Sequence, residues 1–314
     1  MNLADVIREF HDEETCVCFL ETKRWPNGVE CVHCQSKKIS RITSTGKTGK
    51  PRFIYECSDC RKQFSVKSGT LFHDSHIPLT KWFMAIAVLC QAKKGISANQ
   101  VGRTIGVSVK SAWYLCHRIR EAMGGDGSLL QGVLELDETF VGGRVKGKGV
   151  WYGKKEKAVV LGLKQRNGQV RFVHAPNTKS DTWKDAIKTH VDMPKVAHIM
   201  SDDSSSVAHA VDREHAKHYV VNHSKKEYAY KTAFGTVTTN SVESSFSLFK
   251  RGLVGSWHKL SKKHLSRYLQ EMEWKHNNRK NAAIFEDALS GIAAKPHLTF
   301  RALVDGRDEQ GVPF

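Results

Sequence analysis

The chain has 314 residues, which is enough for two or three domains, one of them with a sizeable core. Its 49 Lys and Arg residues against 32 Asp and Glu give a formal net charge of +17. An excess of this size indicates a polyanionic partner, most often nucleic acid. No long, lysine-rich amphipathic segment supports a basic membrane-surface protein instead.

The N-terminal residues and the apolar runs predict neither secretion nor a membrane span. Residues 1–15 carry acids and lack the apolar core of a signal peptide. The longest apolar run, Trp82 to Cys90, is too short to cross a bilayer. We therefore expect a cytoplasmic protein. In that reducing compartment we expect the eight cysteines to be metal ligands or buried thiols and not disulfides.

The N-terminal segment, residues 1–28, is predicted to be helical. Residues 3 to about 24 have an amphipathic pattern, and Trp25-Pro26-Asn27-Gly28 is a turn signal.

Residues 29–72 have the pattern of a zinc ribbon. Two Cys-x-x-Cys pairs, each able to present two thiolates to one ion, are formed by Cys31, Cys34, Cys57 and Cys60. Short β-prone runs and a turn rich in Gly and Lys lie between the pairs. Four protein ligands leave no open position, so the predicted Zn2+ is structural. The alternative is a redox pair or four unrelated cysteines, and the other four cysteines are interpreted as buried thiols.

The same segment is strongly basic. Residues 31–70 hold nine Lys and Arg but only two Asp and Glu. A charged run is usually a solvated face. Its concentration on a small metal-bound module favours contact with phosphates.

Residues 78–124 have the spacing of a helix-turn-helix. A helix over 79–92 is followed by one that begins after Ser97, a tight turn at Gly106, and a second that begins after Ser108. The second helix carries Lys110 and Arg118, with His117 and Arg120, as candidates for contact with a DNA groove. A helical hairpin that packs between domains is the alternative. The glycine-rich residues 124–128 mark the best domain boundary.

A strand with two acids on one face opens the third region, residues 130–280. In Val133–Gly143, Glu135 and Asp137 alternate with the apolar residues Leu134 and Leu136. A basic, glycine-rich loop, Gly142 to Lys157, follows. Counting this first strand, the predicted order is three strands, a helix, a strand, a helix, a strand and C-terminal helices. Residues 281–314 are interpreted as a peripheral tail.

Three acids in this region lie at edges of regular structure. Asp137 is on the first strand, Asp202 is just past the end of the fourth, and Glu243 is in the first turns of a late helix. Asp137 and Asp202 converge if their strands are adjacent. Oxygen ligands suit Mg2+ or Mn2+, and two such ions can clamp the oxygens of an in-line phosphoryl transfer. Each acid can also be explained without a metal. Asp137 can be a solvated residue at a strand end, and Asp202 can cap the helix that follows it. Glu243 can form a capping box with Asn240.

Neighbouring residues fit a DNA cleft beside these acids. Lys250 follows Glu243 by seven residues, which places both on one helix face, and Asn240 lies on that face too. Lys250 can therefore hold a phosphate next to the metal site. His223 is a weaker candidate, interpreted mainly as structural.

These motifs together resemble the ISXO-like transposases of bacterial insertion sequences. The resemblance covers residues 10–280 and is carried by the following stretches: Arg24 to Gly28, the Cys pairs, the helix-turn-helix, Leu136 to Gly143, Val221 to Ser224, Thr239 to Glu243 and Tyr268 to Arg279. It implies a mixed α/β, RNase H-like DDE domain with Asp137, Asp202 and Glu243 as catalytic triad, two Mg2+ ions, and Lys250 as the basic residue two turns after the Glu.

One stretch departs from the family pattern. Where such proteins usually have Ser/Thr-Asp-Gly and then an aromatic residue, this chain has Ser201-Asp202-Asp203-Ser204. Either Asp202 or Asp203 can be the second acid, and Asp202 is preferred because it directly follows the serine.

The resemblance implies a transposase that binds double-stranded DNA at terminal inverted repeats, cuts the element ends and joins the 3′-hydroxyl to target DNA. A homo-oligomer in the DNA complex and a place at the bacterial nucleoid are further expectations. Two other hypotheses are a non-catalytic zinc-ribbon DNA-binding regulator with an inert RNase H-like domain, and an RNase H-like nuclease without strand transfer.

Overall fold

The computed structural model describes residues 1–42, 53–125, 127–142, 157–211, 216–222, 225 and 227–305. The chain divides into two compact units, one of Met1–Met123 with Asn281–Phe314 and one of Gly124–Lys280. No helix within the described residues is long and apolar enough to cross a membrane.

Two helices, α1 (Leu3–Glu9) and α2 (Glu13–Arg24), begin the first unit. The sequence predicts a single helix over residues 3–24. The structure interrupts it because the Asp12 side chain accepts a hydrogen bond from the Thr15 N–H at 2.8 Å and starts a new helix.

A small antiparallel sheet follows, with β1 (Ile39–Ile42), β2 (Ile54–Cys57) and β3 (Gln63–Phe64) in that order. Its hydrophobic side holds Trp25, Tyr55 and Phe64, whose rings are in mutual contact. These aromatic residues form the core of a module too small to have a larger one.

Three helices complete the N-terminal part of the unit: α3 (Leu79–Gln91), α4 (Ala98–Ile105) and α5 (Val109–Ala122). As predicted, the Ser97 and Ser108 side chains cap α4 and α5. Gly106 has φ 65°, ψ 53°, and this left-handed conformation at the end of α4 makes the tight turn between them.

The second unit is built on a five-stranded mixed sheet in the order β6-β5-β4-β7-β8. The strands are β4 (Leu130–Val141), β5 (Ala158–Gln165), β6 (Val170–Ala175), β7 (Val191–Asp202) and β8 (Lys217–Val221). The pairs β4–β5 and β5–β6 are antiparallel, and β4–β7 and β7–β8 are parallel.

Helices cover both faces of this sheet. They are α6 (Ser180–His190), α7 (Ser205–Ala210), α8 (Asn240–Gly252) and α9 (Leu265–Asn277). A π-helical turn, Leu253–Trp257, directly follows α8, and a 3-10 turn, Lys262–His264, precedes α9. A short hairpin, β9 (Tyr230–Thr232) with β10 (Gly235–Val237), leads into α8 and was not predicted.

The two faces have separate hydrophobic cores. One core joins Leu134 and Leu136 of β4 to Trp183 and Ile187 of α6. The other joins residues of β5 and β6 to Val242, Phe246 and Phe249 of α8 and to Leu269 and Met272 of α9. Because side chains alternate along β4, Glu135 and Asp137 lie on the opposite face from Leu134 and Leu136, which is the face covered by α8.

The C-terminal residues return to the first unit as α10 (Ile284–Ala294) and α11 (Phe300–Asp305). Helix α10 packs against α2, α3 and α5, and Phe285, Leu289 and Ile292 are buried. The sequence predicts a peripheral tail over residues 281–314. The structure differs because these apolar residues recur at helical spacing and bury one stripe of α10.

Candidate functional site

Asp137 and Asp202 meet at one edge of the five-stranded sheet. Strands β4 and β7 are parallel neighbours, and Leu136 pairs with Ser201, so the two aspartates occupy adjacent positions on the same face. Carboxylate oxygens of Asp137, Glu138 and Asp202 lie within 4.8 Å of one another. We call these three residues the acid cluster.

Asp203 lies outside the acid cluster. Its side chain is exposed and accepts a hydrogen bond from the Asn222 amide at 2.9 Å. Of the two consecutive aspartates, Asp202 is therefore the one that the fold directs at Asp137.

The acid cluster strongly disfavours a negative charge on Asp137. Burial, and then the charges of Asp202 and Glu138, raise the pKa of Asp137 to about 8, against a usual 3.8. Glu243 contributes to this rise, and a hydrogen bond from the Glu138 N–H to Asp137 Oδ1 at 2.8 Å opposes it. Carboxylates brought together against their mutual repulsion form a site that a cation would stabilise.

Glu243 reaches the same place from α8. The helix approaches the sheet closely at Gly162, the β5 residue that pairs with Asp137. A Cβ atom at Gly162 would lie 2.9 Å from Val242 Cγ2 and closer still to the Phe246 ring. Glycine at this position therefore allows the helix to lie against β5, and Glu243 to lie near Asp137.

Asp137, Glu138 and Glu243 line a cleft with a volume of about 540 Å³, and Asp202 adjoins it through its contact with Asp137. Its walls are formed by Asp137, Glu138, Thr139, Glu243, Phe246, Ser247, Lys250, Arg251 and Val254. Lys250 is exposed in this cleft on the same helix as Glu243. The cleft thus combines carboxylates with two cationic side chains, which suits a phosphate group held beside a metal ion.

The start of α8 differs from a capping box. Its N-cap is Thr239, whose hydroxyl donates to Glu243 Oε1 at 2.7 Å. Asn240 is exposed at the first helical residue and is not one of the residues that line the cleft. His223 and residues 143–156 of the predicted basic loop lie outside the described residues.

The donor set fits Mg2+ or Mn2+. The acid cluster and Glu243 offer only carboxylate oxygens, which these hard cations prefer. The cleft is open enough for phosphate and water oxygens to supply the remaining ligands. Asp137 and Asp202, together with Glu138 or Glu243, are the residues that would hold the ions.

The four predicted zinc ligands also meet. Sγ atoms of Cys31, Cys34, Cys57 and Cys60 lie within 4.8 Å of one another. Cys31 and Cys60 are 3.6 Å apart at sulfur, as are Cys34 and Cys57. Tetrahedral Zn2+ with Zn–S bonds of about 2.3 Å separates its sulfurs by about 3.8 Å. The four-cysteine cluster therefore fits a structural zinc ribbon.

The two DNA-contact candidates of α5 have opposite environments. Lys110 is exposed near the start of the helix, 5.4 Å from the centre of the Phe300 ring. Arg118 is only 3% exposed. It donates to the Leu298 carbonyl at 3.1 and 3.2 Å, to the His73 carbonyl at 2.7 Å and to the Tyr114 hydroxyl at 2.7 Å.

The assignment of Arg118 to DNA contact is therefore corrected to a structural one. Its guanidinium makes four hydrogen bonds to protein oxygens. Helical spacing alone could not show that the segment around Leu298 covers this face of α5. His117 and Arg120 are buried as well.

Two acids for which the sequence predicted no function lie at or beside the site. Glu138 lies in the acid cluster although strict alternation would direct it away from Asp137. Glu135 is 1% exposed and accepts hydrogen bonds from the Ser241 and Val242 N–H groups at the start of α8. The only sequence signal for Glu135 was its place on the same strand face as Asp137.

Comparisons with known proteins agree with this arrangement. Residues 129–277 match the family model of the ISXO2-like transposase domain, and residues 11–63 match that of the transposase zinc-ribbon domain. Together the two matches cover more than half of the chain.

A curated relative from Halobacterium salinarum, described as an uncharacterized protein in transposable element ISH50, is 30% identical over 142 residues. The match covers 45% of this chain and 46% of the relative, so it spans about half the length of that protein. A chain in the cryo-EM structure of a simian T-cell lymphotropic virus intasome with PP2A regulatory subunit B56 gamma matches at 16% identity. That match covers 59% of this chain and 64% of the other with a TM-score of 0.28, too low to carry any conclusion.

Proposed function

Because the chain belongs to the ISXO2-like transposase family, we propose that it is a DNA transposase whose phosphoryl-transfer site is the cleft at Asp137, Asp202 and Glu243. The observation that carries the proposal is the meeting of these acids beside Lys250. They come from three separate elements of an RNase H-like mixed sheet and its covering helix. Such acids cost free energy unless a cation offsets them.

The residues of the cleft would act by position and charge. Asp137, Asp202 and Glu243 would hold two Mg2+ ions, which when bound stabilise the developing charge on the attacking and leaving oxygens. Lys250, and Arg251 beside it, would hold phosphates of the DNA in line with the acids. The protein supplies orientation and electrostatic stabilisation, with no covalent step of its own.

The first unit would bind the DNA. The zinc ribbon and the helix-turn-helix would contact the terminal inverted repeats, with Lys110 at the exposed start of α5. In the second unit, Asn240 at the exposed start of α8 would be a further DNA contact. Both ends of the element must be brought together for joining, so a homo-oligomer is part of the proposal.

Cleavage of end-repeat oligonucleotides tests the proposal. Purified protein with Mg2+ should cut DNA that carries the inverted repeats flanking its gene. Asp137→Ala should lower the cleavage rate by at least about a thousandfold, because it removes a ligand from the site, and should leave the dissociation constant for the DNA unchanged. Cleavage at the wild-type rate by the variant would contradict the proposed site.

The same assay separates the two other hypotheses. A non-catalytic regulator would bind the repeats and cut nothing with Mg2+ or Mn2+. A nuclease without strand transfer would cut the ends but leave the freed 3′-hydroxyl unjoined when target DNA is added. Joined product from the wild-type protein, absent with Asp137→Ala, is the result that supports a transposase.

A further inference from the structure

A buried carboxylate two residues before Asp137 forms an ion pair with a partly exposed arginine. Glu135 on β4 is 1% exposed, and its Oε1 accepts from Arg166 Nε at 3.2 Å and from a terminal nitrogen of Arg166 at 3.0 Å. Neither residue lines the cleft that holds Asp137 and Glu243. The proposed function therefore gives this pair no role in contact with DNA.

The two members of the pair bind the backbone on either side of Asn240, the first residue of α8. Glu135 Oε2 accepts from the Ser241 N–H at 2.9 Å, the Ser241 hydroxyl at 2.7 Å and the Val242 N–H at 3.1 Å. Arg166 donates to the Thr236 carbonyl at 2.6 Å and the Thr238 carbonyl at 3.3 Å. Together they bind the backbone immediately before and immediately after Thr239 and Asn240.

This arrangement fixes the first turn of α8. The N–H groups there have no partners within the helix, and the N-cap Thr239 makes no capping hydrogen bond with its side chain. A carboxylate from the neighbouring strand satisfies them and interacts favourably with the positive end of the helix dipole. Glu243 is in that same turn: its N–H donates to the Thr239 carbonyl at 3.1 Å, and its carboxylate accepts from the Thr239 hydroxyl.

Glu135 is also two residues from Asp137 on the same strand. The strand that carries the first acid is thus hydrogen-bonded, through Glu135, to the helix turn that carries the third. Gly162 lets that turn lie against the sheet, and the Glu135–Arg166 pair holds it there.

We propose that Glu135 and Arg166 are positioning residues that set the carboxylate of Glu243 relative to Asp137 and so determine the affinity of the site for divalent cations. This rests on the proposed function, in which Glu243 is a cation ligand. Partners that orient metal ligands typically change metal affinity by about 10- to 100-fold when they are replaced.

The test measures cation binding directly, with Mn2+ as the probe and free Mn2+ followed by EPR in the zinc-loaded full chain. Glu135→Gln should weaken Mn2+ binding by about tenfold or more. Ser241→Ala, which removes one of the three bonds to Oε2, should weaken it less, by about twofold to fivefold. The Mg2+ concentration for half-maximal cleavage should rise in the same order, while the DNA dissociation constant stays unchanged.

Glu273→Gln is the matched control. Glu273 is also buried, accepts from the Phe172 N–H at 3.0 Å and pairs with Arg171 at 3.4 Å, but it joins α9 to β6. Loss of a buried Glu–Arg pair that is only structural should lower the melting temperature without changing Mn2+ affinity. Equal Mn2+ affinity for Glu135→Gln and Glu273→Gln would overturn the proposal.

A double-mutant cycle tests whether Glu135 acts through Glu243. Glu135→Gln should weaken Mn2+ binding in the wild-type background and add nothing in the Glu243→Gln background. A full tenfold effect without Glu243 would overturn the proposal. If Glu135→Gln does not fold, Ser241→Ala takes its place in the cycle, and wild-type affinity for Ser241→Ala then counts against the inference.

Asp137→Asn separates this failure from failure of the proposed function. If Asp137→Asn binds Mn2+ as the wild type does, the acid cluster is not the cation site and the proposed function fails. If Asp137→Asn loses binding and Glu135→Gln does not, only the positioning role fails.

Discussion

At the scale of single residues, this protein brings carboxylates together where burial and mutual repulsion disfavour their negative charge. A bound cation would offset that unfavourable free energy. Asp137 lies between Asp202 and Glu138 and is partly buried, so its pKa is raised to about 8. Glu135, two residues earlier, is buried with a charged partner and three further donors. Neighbouring acids on one strand thus have different environments: one is compensated by the protein, and the other would be compensated by a cation.

The raised pKa of Asp137 gives a pH-dependent prediction for protein without added divalent cations. The folded state holds a proton that the unfolded chain releases, so stability falls as pH rises from about 4 to about 8. Asp137→Asn carries no charge and should avoid this loss. At pH 8.5 it should melt above the wild type by at least roughly 2–4 °C, with the difference vanishing near pH 4.

Thermal unfolding followed by circular dichroism measures this effect. Asp181→Asn, at a side chain 92% exposed on α6, is the control and should melt like the wild type at every pH. Added Mg2+ should raise the melting temperature of the wild type at pH 8.5 but not that of Asp137→Asn. A variant that melts below the wild type at pH 8.5 would contradict the charge repulsion described for the cluster.

At the scale of elements, helix α5 shows how tertiary contacts divide one helix into an exposed half and a buried half. Its N-terminal turn is exposed and carries Lys110, while Leu115 to Arg120 is buried by α10 and by the segment around Leu298. The half of the helix that is available to a DNA groove is therefore its start.

This division predicts opposite outcomes for two substitutions in α5. Lys110→Ala should weaken DNA binding and reduce the salt dependence by about one phosphate contact, with no change in melting temperature. Arg118→Ala should destabilise the protein by on the order of 2–3 kcal/mol, because it leaves the buried Leu298 and His73 carbonyls without their donor.

Fluorescence anisotropy with labelled repeat DNA and thermal melting measure the two effects. Lys188→Ala, exposed on α6 on the sheet face opposite α8, removes the same charge and should change neither quantity. If Arg118→Ala lost DNA affinity at unchanged stability, the structural assignment of Arg118 would be wrong.

At the scale of the whole molecule, charge is the dominant property. The excess of 17 positive charges is carried in part by the ribbon segment and by Lys250 and Arg251 in the cleft. Such a distribution matches a partner whose phosphates extend beyond one site. If DNA is that partner, as proposed, counterion release will make the affinity strongly dependent on salt.

Binding to repeat DNA should therefore weaken steeply with salt. If about six or more phosphates are contacted, the slope of log K against log salt should be roughly −5 or steeper, a loss of about a thousandfold between 50 and 200 mM. Anisotropy titrations at several salt concentrations measure the slope. A slope shallower than about −2 would mean that the net charge is not used for DNA binding.

Local sequence determined much of this protein. The cysteine spacing, the capping serines of α4 and α5, the strand alternation at Asp137 and the seven-residue spacing of Glu243 and Lys250 are all patterns within a few turns of the chain. Period and spacing fix which side chains share a face, so these patterns predicted the four-cysteine site and the two capped helices around the turn at Gly106. The mixed sheet was implied by the family resemblance, and the meeting of Asp137 and Asp202 was predicted only if their strands are adjacent, which the pairing of β4 with β7 shows.

Other features depended on partners distant in the sequence. Arg118 has the spacing of a groove-facing residue, yet Leu298 closes over it, and Glu135 differs from a solvated strand acid only because α8 begins against it. The sequence does not distinguish Gly162 from other strand glycines, and only the structure shows that Phe246 packs against it. Burial and hydrogen bonding depend on which element covers a residue, and only the tertiary structure decides that.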